Sequence, residues 1–437
     1  MIANAQSIPA AADKTSGRFD PYIWGSYICL VVISIVELFS ASSQEVQVGR
    51  IYDPIIRHAM FLGIGFLIML VIERIHFSRI YYFIPIFVLG SIALMILVLA
   101  VGVNINGARR GLQFGPIMLL PAEFLKLAVA LGIAWILANS RLKGTHDTTR
   151  GGVIACAVLV LFCSALLFSH GLTNTLLLMA ISICMMLVGG VSWRKLGYVF
   201  VAYLIIGGCA AGYKALSSGD RELTPDEIAL AEINQTDPTK LYDGENRWDI
   251  WVKRLRNHFR LNKSADRITD DNKQEQLSFI AQAHGGLTGA GVGNSRENAR
   301  LPLAFSDYIY AIIVEELGAV IAIFVLALYM FLLGRAGRLA MVFKGALPCL
   351  LVIGCALVIC LQALFHICIV TGVFPVSGQP LPLISKGGTS IIATSIALGI
   401  MLSASRWAAR KNDTDEAMRA ELSSLPENIA TDNPSQL

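Results

Sequence analysis

Charged side chains are scarce in this sequence: they make up 15% of its 437 residues, while 55% are hydrophobic. An average soluble domain carries roughly 25% charged residues, so the deficit argues against a chain that lives in water. The formal net charge is only +4, with no basic patch of the kind that neutralises phosphates, so nothing marks a nucleic-acid partner. Cysteine occurs nine times, yet never as CxxC or at a zinc-site spacing, and it falls almost wholly inside apolar runs. There it reads as a small packing residue. The polar stretch from Leu216 to Ser306 has no cysteine at all, so no disulfide staples it. Internal repeats are lacking. No small-residue cleavage site follows the polar start of the chain, so the first apolar run reads as an uncleaved span.

What the sequence has instead is ten apolar runs, near residues 22–41, 56–74, 80–103, 121–138, 152–169, 174–191, 197–216, 308–334, 346–371 and 388–405. A helix needs about 20 such residues to cross a bilayer. The pattern predicts an all-α, polytopic integral membrane protein with about ten transmembrane helices. Lys and Arg in short connections mark the cytoplasmic side. Arg74 and Arg79, Arg141 with Lys143 and Arg150, Arg194 and Lys195, Arg335 and Arg338, and Arg406 and Arg410 fall on one set of ends. Both termini then lie in the cytoplasm: a segment 1–21, a transmembrane domain 22–405, and a polar tail 406–437 that predicts disorder. Residues 216–307 form a large extracytoplasmic loop between the seventh and eighth spans, too long for a plain connector. Within it, WDIWVKRLRNHFRL sets Trp248, Trp251, Leu255 and Phe259 on one stripe. That is the pattern of a helix lying in the membrane interface, with an ordinary packed helix as the alternative.

Three polar clusters interrupt the outward ends of these spans. RLPLAFSDYIYAIIVEELGAV carries Asp307 at the lip of the eighth span and Glu315 and Glu316 further along it. At ~1.5 Å rise per residue the glutamates sit roughly 12 Å deeper. An acid at mid-bilayer costs about 2.5–3.5 kcal/mol, so such residues are either functional or paired within the bundle. NINGARRGLQFGPIMLLPAEFLK has a turn at Asn106 and Gly107, then Arg109 and Arg110 on the outer side. Pro121 opens a helix in which Glu123 and Lys126 share a face, as an ion pair or as part of a site. GVFPVSGQPLPLISKGGTS holds too much proline and glycine for a regular helix, and irregular backbone at this depth needs protein or a cavity around it. Lys386 either brings a positive charge into that cavity or snorkels to the interface. Together the clusters predict an outward-facing cavity with cations for an anion and a carboxylate for a proton. GAGVGN, Gly289 to Asn294, reads as a glycine turn, Thr269 to Asn272 as a solvated loop with cation binding as the alternative, and His170 and His366 as satisfied polar residues.

The same three segments carry a resemblance. GVGNS followed by LPLAFSDYIYAIIVEELG, NGARR with LPAEFLK, and FPVSGQPLPLISKGGTS are similar to the three signature segments of the shape, elongation, division and sporulation (SEDS) proteins. FSASS and RHAMFLGIG also fit, so the likeness covers about 22–405. The GNS triplet leans toward the division (FtsW-like) branch, with the elongation (RodA-like) branch as second choice. Gly111 and Lys386 stand where the family usually has tryptophan and tyrosine, and SHGLTNT replaces an acidic motif at the sixth span. The resemblance implies ten helices, the large outer loop, and a peptidoglycan glycosyltransferase that polymerises lipid II into a nascent glycan strand with inversion, undecaprenyl diphosphate leaving. It makes Asp307 the catalytic base, with Arg57, Arg109, Glu123 and Lys126 binding substrate. The residues themselves add Lys386 to the substrate-binding set and Ser306, Glu315 and Glu316 as supporting groups. A divalent cation, magnesium or manganese, is an optional helper, with no ligands assigned to it. The implied partners are a class B penicillin-binding protein transpeptidase, other divisome membrane proteins and membrane lipids. The implied location is the bacterial inner membrane at the septum. A lipid II transporter and a division scaffold are the competing classes, separable by an assay for polymer.

Overall fold

The structure, a computed structural model, describes residues 20–41, 53–105, 108–114, 117–140, 148–168, 171–203, 272–301, 303–343 and 345–424, with isolated positions at 208, 258 and 268. His170, nearly all of the candidate interfacial helix and most of the outer loop lie outside them.

Apolar runs become helices here because a helix satisfies its own backbone where no water can. In chain order these are α1 (Pro21–Ala41), α2 (Asp53–Arg74), α3 (Phe77–Val101), α4 (Pro121–Asn139), α5 (Arg150–Phe168), α6 (Leu172–Val188), α7 (residues 193–203), α8 (Lys273–Gly285), α9 (Ile309–Val342), α10 (Ala346–Val370) and α11 (Gly388–Ser424). Among the described residues eight helices are long and apolar enough to span a membrane. The sixth predicted span, α6, is 17 residues long, and the seventh leaves the described residues after 203.

Burial separates centre from rim. The apolar stretches of α4, α10 and α11 are 78%, 72% and 83% buried, against 22% for α2 and 28% for α3. The rim helices turn large side chains such as Leu67, Val71, Ile86 and Leu89 outward, as lipid-facing surfaces do. α10 packs against α4, α6, α9 and α11, so it forms the axis of the bundle. At the end assigned to the cytoplasm, Asp20 Oδ2 accepts bonds from Arg335 Nη2 at 2.8 Å and Ser405 Oγ at 2.8 Å, tying α1, α9 and α11 together. Arg406 pairs with Glu73 at 3.5 Å across to α2.

Three features depart from the sequence expectation. A small antiparallel sheet interrupts the helices: β1 (Val103–Ile105), β2 (Ala108–Phe114) and β3 (Ile117–Leu119). Ile105 pairs with Ala108 across a connection of sequence Asn-Gly, the residue pair that two-residue hairpins favour. Short apolar alternation beside a long apolar helix hid these strands. The eighth span is not one rod, since Gly318 takes φ 84° and ψ 168° and breaks α9 into a short outer segment and a long inner one. Finally, α11 continues to Ser424, past the boundary at 405 beyond which the sequence predicts disorder. Polar composition argued for a loose tail, but Ala, Arg, Lys, Glu and Met are also good helix formers that can prolong a helix already nucleated by the membrane span.

Candidate functional site

Asp307 lies in the tight turn that leads into α9. The amides of Ser306 and Asp307 both donate to Leu303 O, at 3.1 and 3.0 Å. Leu303 pays for the turn with φ 59°, a left-handed conformation costly for a leucine. Ser306 Oγ donates to Asp307 Oδ1 at 2.9 Å. On its other side the carboxylate lies against Gly378: a Cβ built on that glycine would sit 2.7 Å from Oδ2. Asp307 is neither buried nor fully exposed, so a substrate can reach it.

The proline- and glycine-rich segment that follows α10 wraps this turn. Lys386 N donates to Phe305 O at 2.9 Å, and Ser385 Oγ donates to Ser306 O at 2.7 Å. Tyr329 Oη from the inner part of α9 donates to Pro382 O at 2.6 Å. Leu383, like Leu303, holds a positive φ, here 66°. Side-chain and backbone bonds therefore replace the helical ladder that the prolines prevent.

The two glutamates are paired within the bundle, one of the two readings their position allows. Both are fully buried and bind the glycine-rich loop that follows α8. Glu315 Oε1 meets His284 Nδ1 at 2.9 Å and accepts from Arg296 N at 2.9 Å, while Oε2 accepts from Ser295 Oγ at 2.5 Å. Glu316 accepts from Ser40 Oγ and from Gly293 N, the latter at 3.1 Å. The break at Gly318 makes this possible. It releases the carbonyls of Glu315 and Glu316 to accept from Ala290 N (2.8 Å) and Gly291 N (3.0 Å), and the amide of Ala319 to donate to Gly286 O (3.0 Å). A Cβ on Gly318 would collide with Leu287 O, which is why this contact uses glycine. GAGVGN is thus a glycine turn, as its sequence indicates, and the acids are its anchor.

On α4, Pro121 occupies the first turn, as predicted, and brings Glu123 and Lys126 inward. Lys126 Nζ is 2.8 Å from Glu123 Oε1 and donates to Gln362 Oε1 at 2.9 Å. Gln362 Nε2 closes the ring on Glu123 Oε2 at 3.0 Å and reaches Pro380 O at 3.1 Å. The pair is buried and satisfied, and it holds the last loop through Gln362. No sequence signal pointed to Gln362, because the partner lies on another helix.

A cavity of about 180 Å³ opens between α2, β3 and the start of α11, lined by Arg57, His58, Phe61, Met118, Lys386 and Thr389 among others. Lys386 therefore turns into a cavity, one of its two predicted alternatives. His58 Nε2 lies 2.8 Å from Ser34 Oγ, which donates to Ile384 O at 3.3 Å, so α1 and α2 brace the segment carrying Lys386. His58 was not singled out in the sequence. Arg109 lies in β2 opposite Asn104, and its side chain is outside the described residues. Among the described residues no group of three or more His, Cys, Asp or Glu side chains comes together.

His366 is only half satisfied: Nδ1 lies 2.6 Å from Gln379 O, whereas buried Nε2 has no partner among the described residues.

Known proteins resemble this chain over most of its length. A family model described as FTSW_RODA_SPOVE, cell cycle protein, matches residues 21–219 and 251–410. A "Probable peptidoglycan glycosyltransferase FtsW" of Xanthomonas oryzae pv. oryzae is 26% identical over 97% of this chain and 79% of its own length. Its counterpart in Dichelobacter nodosus is 31% identical over 86% of this chain and 87% of its own. Among solved structures, a chain of a peptidoglycan synthase complex that coordinates polymerization and crosslinking superposes with a TM-score of 0.62 at 22% identity, covering 89% of this chain and 98% of that one. The rod shape determining protein RodA of Thermus thermophilus gives 0.58 at 23% identity, covering 89% and 97%. These likenesses speak to the fold. With the family model matching most of its length, the chain belongs to the FtsW/RodA/SpoVE family of cell cycle proteins.

Proposed function

We propose that this protein is a division-type peptidoglycan glycosyltransferase that polymerises lipid II, with Asp307 as the general base. The observation that carries the assignment of the base is the placement of its carboxylate. It is reachable, held by Ser306 on one side and Gly378 on the other, and backed by the segment that carries Lys386 into a cationic cavity.

The reaction follows from that arrangement. The 4-hydroxyl of the acceptor sugar attacks the anomeric carbon of the growing chain, and its proton passes to Asp307. A new carbon–oxygen bond forms as the bond to the donor diphosphate breaks, and the bonding pair leaves with the phosphate oxygen. Attack opposite the leaving group inverts the anomeric centre, so an α-linked donor yields a β-linked glycan. A positioned base contributes roughly 10²–10⁴-fold to such a step. The diphosphate is a good leaving group and needs charge stabilisation more than a proton. Arg57 and Lys386 line the cavity that would receive it, and Gly388 and Thr389 add the positive end of α11. Glu123 and Lys126 act at one remove, through Gln362 and the last loop. Arg109, which the family resemblance adds to the basic set, lies on β2.

On this reading the protein works in the bacterial inner membrane at the septum, both termini cytoplasmic. A class B penicillin-binding protein transpeptidase cross-links its nascent strands, and further divisome membrane proteins surround the pair. The test is polymerisation of lipid II by the purified protein, with and without the transpeptidase, for wild type and Asp307→Asn. Wild type makes polymer and the variant does not; polymer at the wild-type rate from Asp307→Asn removes the base assignment, and no polymer from either favours a lipid II transporter.

A further inference from the structure

We infer that Gly378, held in place by His366 and Gln379, is a positioning element that fixes the orientation of the Asp307 carboxylate. The inference rests on the reading of Asp307 as the base. Gly378 has no backbone need to be glycine, since its φ lies outside the left-handed range that makes other glycines of this chain irreplaceable. What forbids a side chain there is the carboxylate itself. A Cβ on Gly378 would lie 2.7 Å from Asp307 Oδ2, 3.3 Å from Cγ and 3.5 Å from Oδ1, and these are its three nearest neighbours. The bare Cα face of Gly378 is therefore one wall of the slot in which the carboxylate sits, and the Ser306 hydroxyl, 2.9 Å from Oδ1, is another.

A wall positions only if it is itself held. Gly378 lies in the irregular segment after α10, which has no helical ladder, and the residue that follows it is clamped on two sides. Gln379 O lies 2.6 Å from His366 Nδ1, and Gln379 Nε2 donates to Asn174 Oδ1 at 2.9 Å, linking α10 and α6 to this one position. His366 and Gln379 are each about 1% exposed, and each leaves a polar atom, Nε2 and Oε1, without a partner among the described residues. Unpaired buried atoms are costly, so a side chain chosen for packing alone would be apolar here. The bond that His366 does make points its Nδ1–H at the backbone next to Gly378. None of the three residues needs to touch substrate; they act through Asp307.

Full-length protein in nanodiscs, assayed for lipid II polymerisation with its transpeptidase partner, tests this. In Gly378→Ala the new methyl has only the movable end of Asp307 to displace, so the protein folds and melts as wild type does. Its kcat falls by about 100-fold, the scale on which ångström misplacement of a reacting group is felt, while KM for lipid II stays within about twofold because the cationic cavity is untouched. At His366, Asn places an amide N–H where Nδ1–H was, and Gln places it where Nε2 was. His366→Asn therefore retains turnover and His366→Gln loses it. Wild-type kcat in Gly378→Ala, or a Gly378→Ala protein that does not fold, overturns the inference, as does a larger change in KM than in kcat. Equal turnover in the two His366 variants removes His366 from it. Asp307→Asn, run alongside, keeps the questions apart: if it is inactive while Gly378→Ala is normal, the base stands and the positioning element fails. If Asp307→Asn is active, the base assignment itself is lost.

Discussion

Asp307 and the Glu315–Glu316 pair are close neighbours in the chain and alike in chemistry, yet the fold gives them opposite circumstances. Asp307 is reachable, and its carboxylate rests between a serine hydroxyl and a bare glycine face. The glutamates are fully buried, their oxygens taken up by Ser40, His284, Gly293, Ser295 and Arg296. An acid reserved for proton transfer must stay accessible to the group it deprotonates. An acid that anchors a loop does so by accepting every bond offered to it. The difference teaches that an acidic motif at a membrane surface cannot be assigned as a unit. Within one helix-loop segment, one carboxylate is partly exposed and two are buried in bonds to a loop.

The sharpest way to break this comparison is to remove one charge from each half. Asp307→Asn should lower glycan polymerisation by roughly 10²–10⁴-fold while leaving the melting temperature in detergent unchanged. Equal catalytic losses at Asp307 and Glu315, each without loss of stability, would erase the distinction. Next in size is Lys126→Met, which leaves Glu123 buried without its cation. A broken buried pair costs about 3–5 kcal/mol, read as a fall in thermal stability, and the double variant Glu123→Gln/Lys126→Met should recover part of it. Glu315→Gln keeps the shape but turns a pure acceptor into a partial donor facing Arg296 N and Ser295 Oγ. We expect about 1–3 kcal/mol of local destabilisation, seen as faster amide exchange over residues 290–297, with turnover per folded molecule retained. The smallest effect belongs to the cavity. Arg57→Ala and Lys386→Ala should each raise KM for lipid II by about tenfold, equivalent to roughly 1.4 kcal/mol, and change kcat less.

Much of this site was legible before any fold was known. The clustering of Asp307, of Glu123 with Lys126, and of Lys386 in a proline-rich segment, all on outward ends of spans, is a one-dimensional signal because charge in an apolar run is costly wherever it occurs. Their meeting was not legible. Gln362 joins Glu123 and Lys126 from another helix, Ser385 bonds Ser306 from the far end of the chain, and Gly378 meets Asp307 across a loop. No local period encodes such contacts. The strands β1 to β3 escaped for a related reason: β1 and β3 are three residues long, too short an alternation to read beside an apolar helix, and the seven residues of β2 carry arginines and a glycine in place of a regular alternation.

By itself, the sequence determined that the chain is a bundle of membrane helices with polar clusters at the ends of its spans, because every uncompensated backbone or side-chain polar group in lipid carries a penalty that composition alone reveals. Only the tertiary structure decided which acids are buried in holding a loop and which one keeps part of its surface exposed. That choice depends on which donors other helices and loops bring within about 3 Å, a distance set by packing rather than by neighbours along the chain.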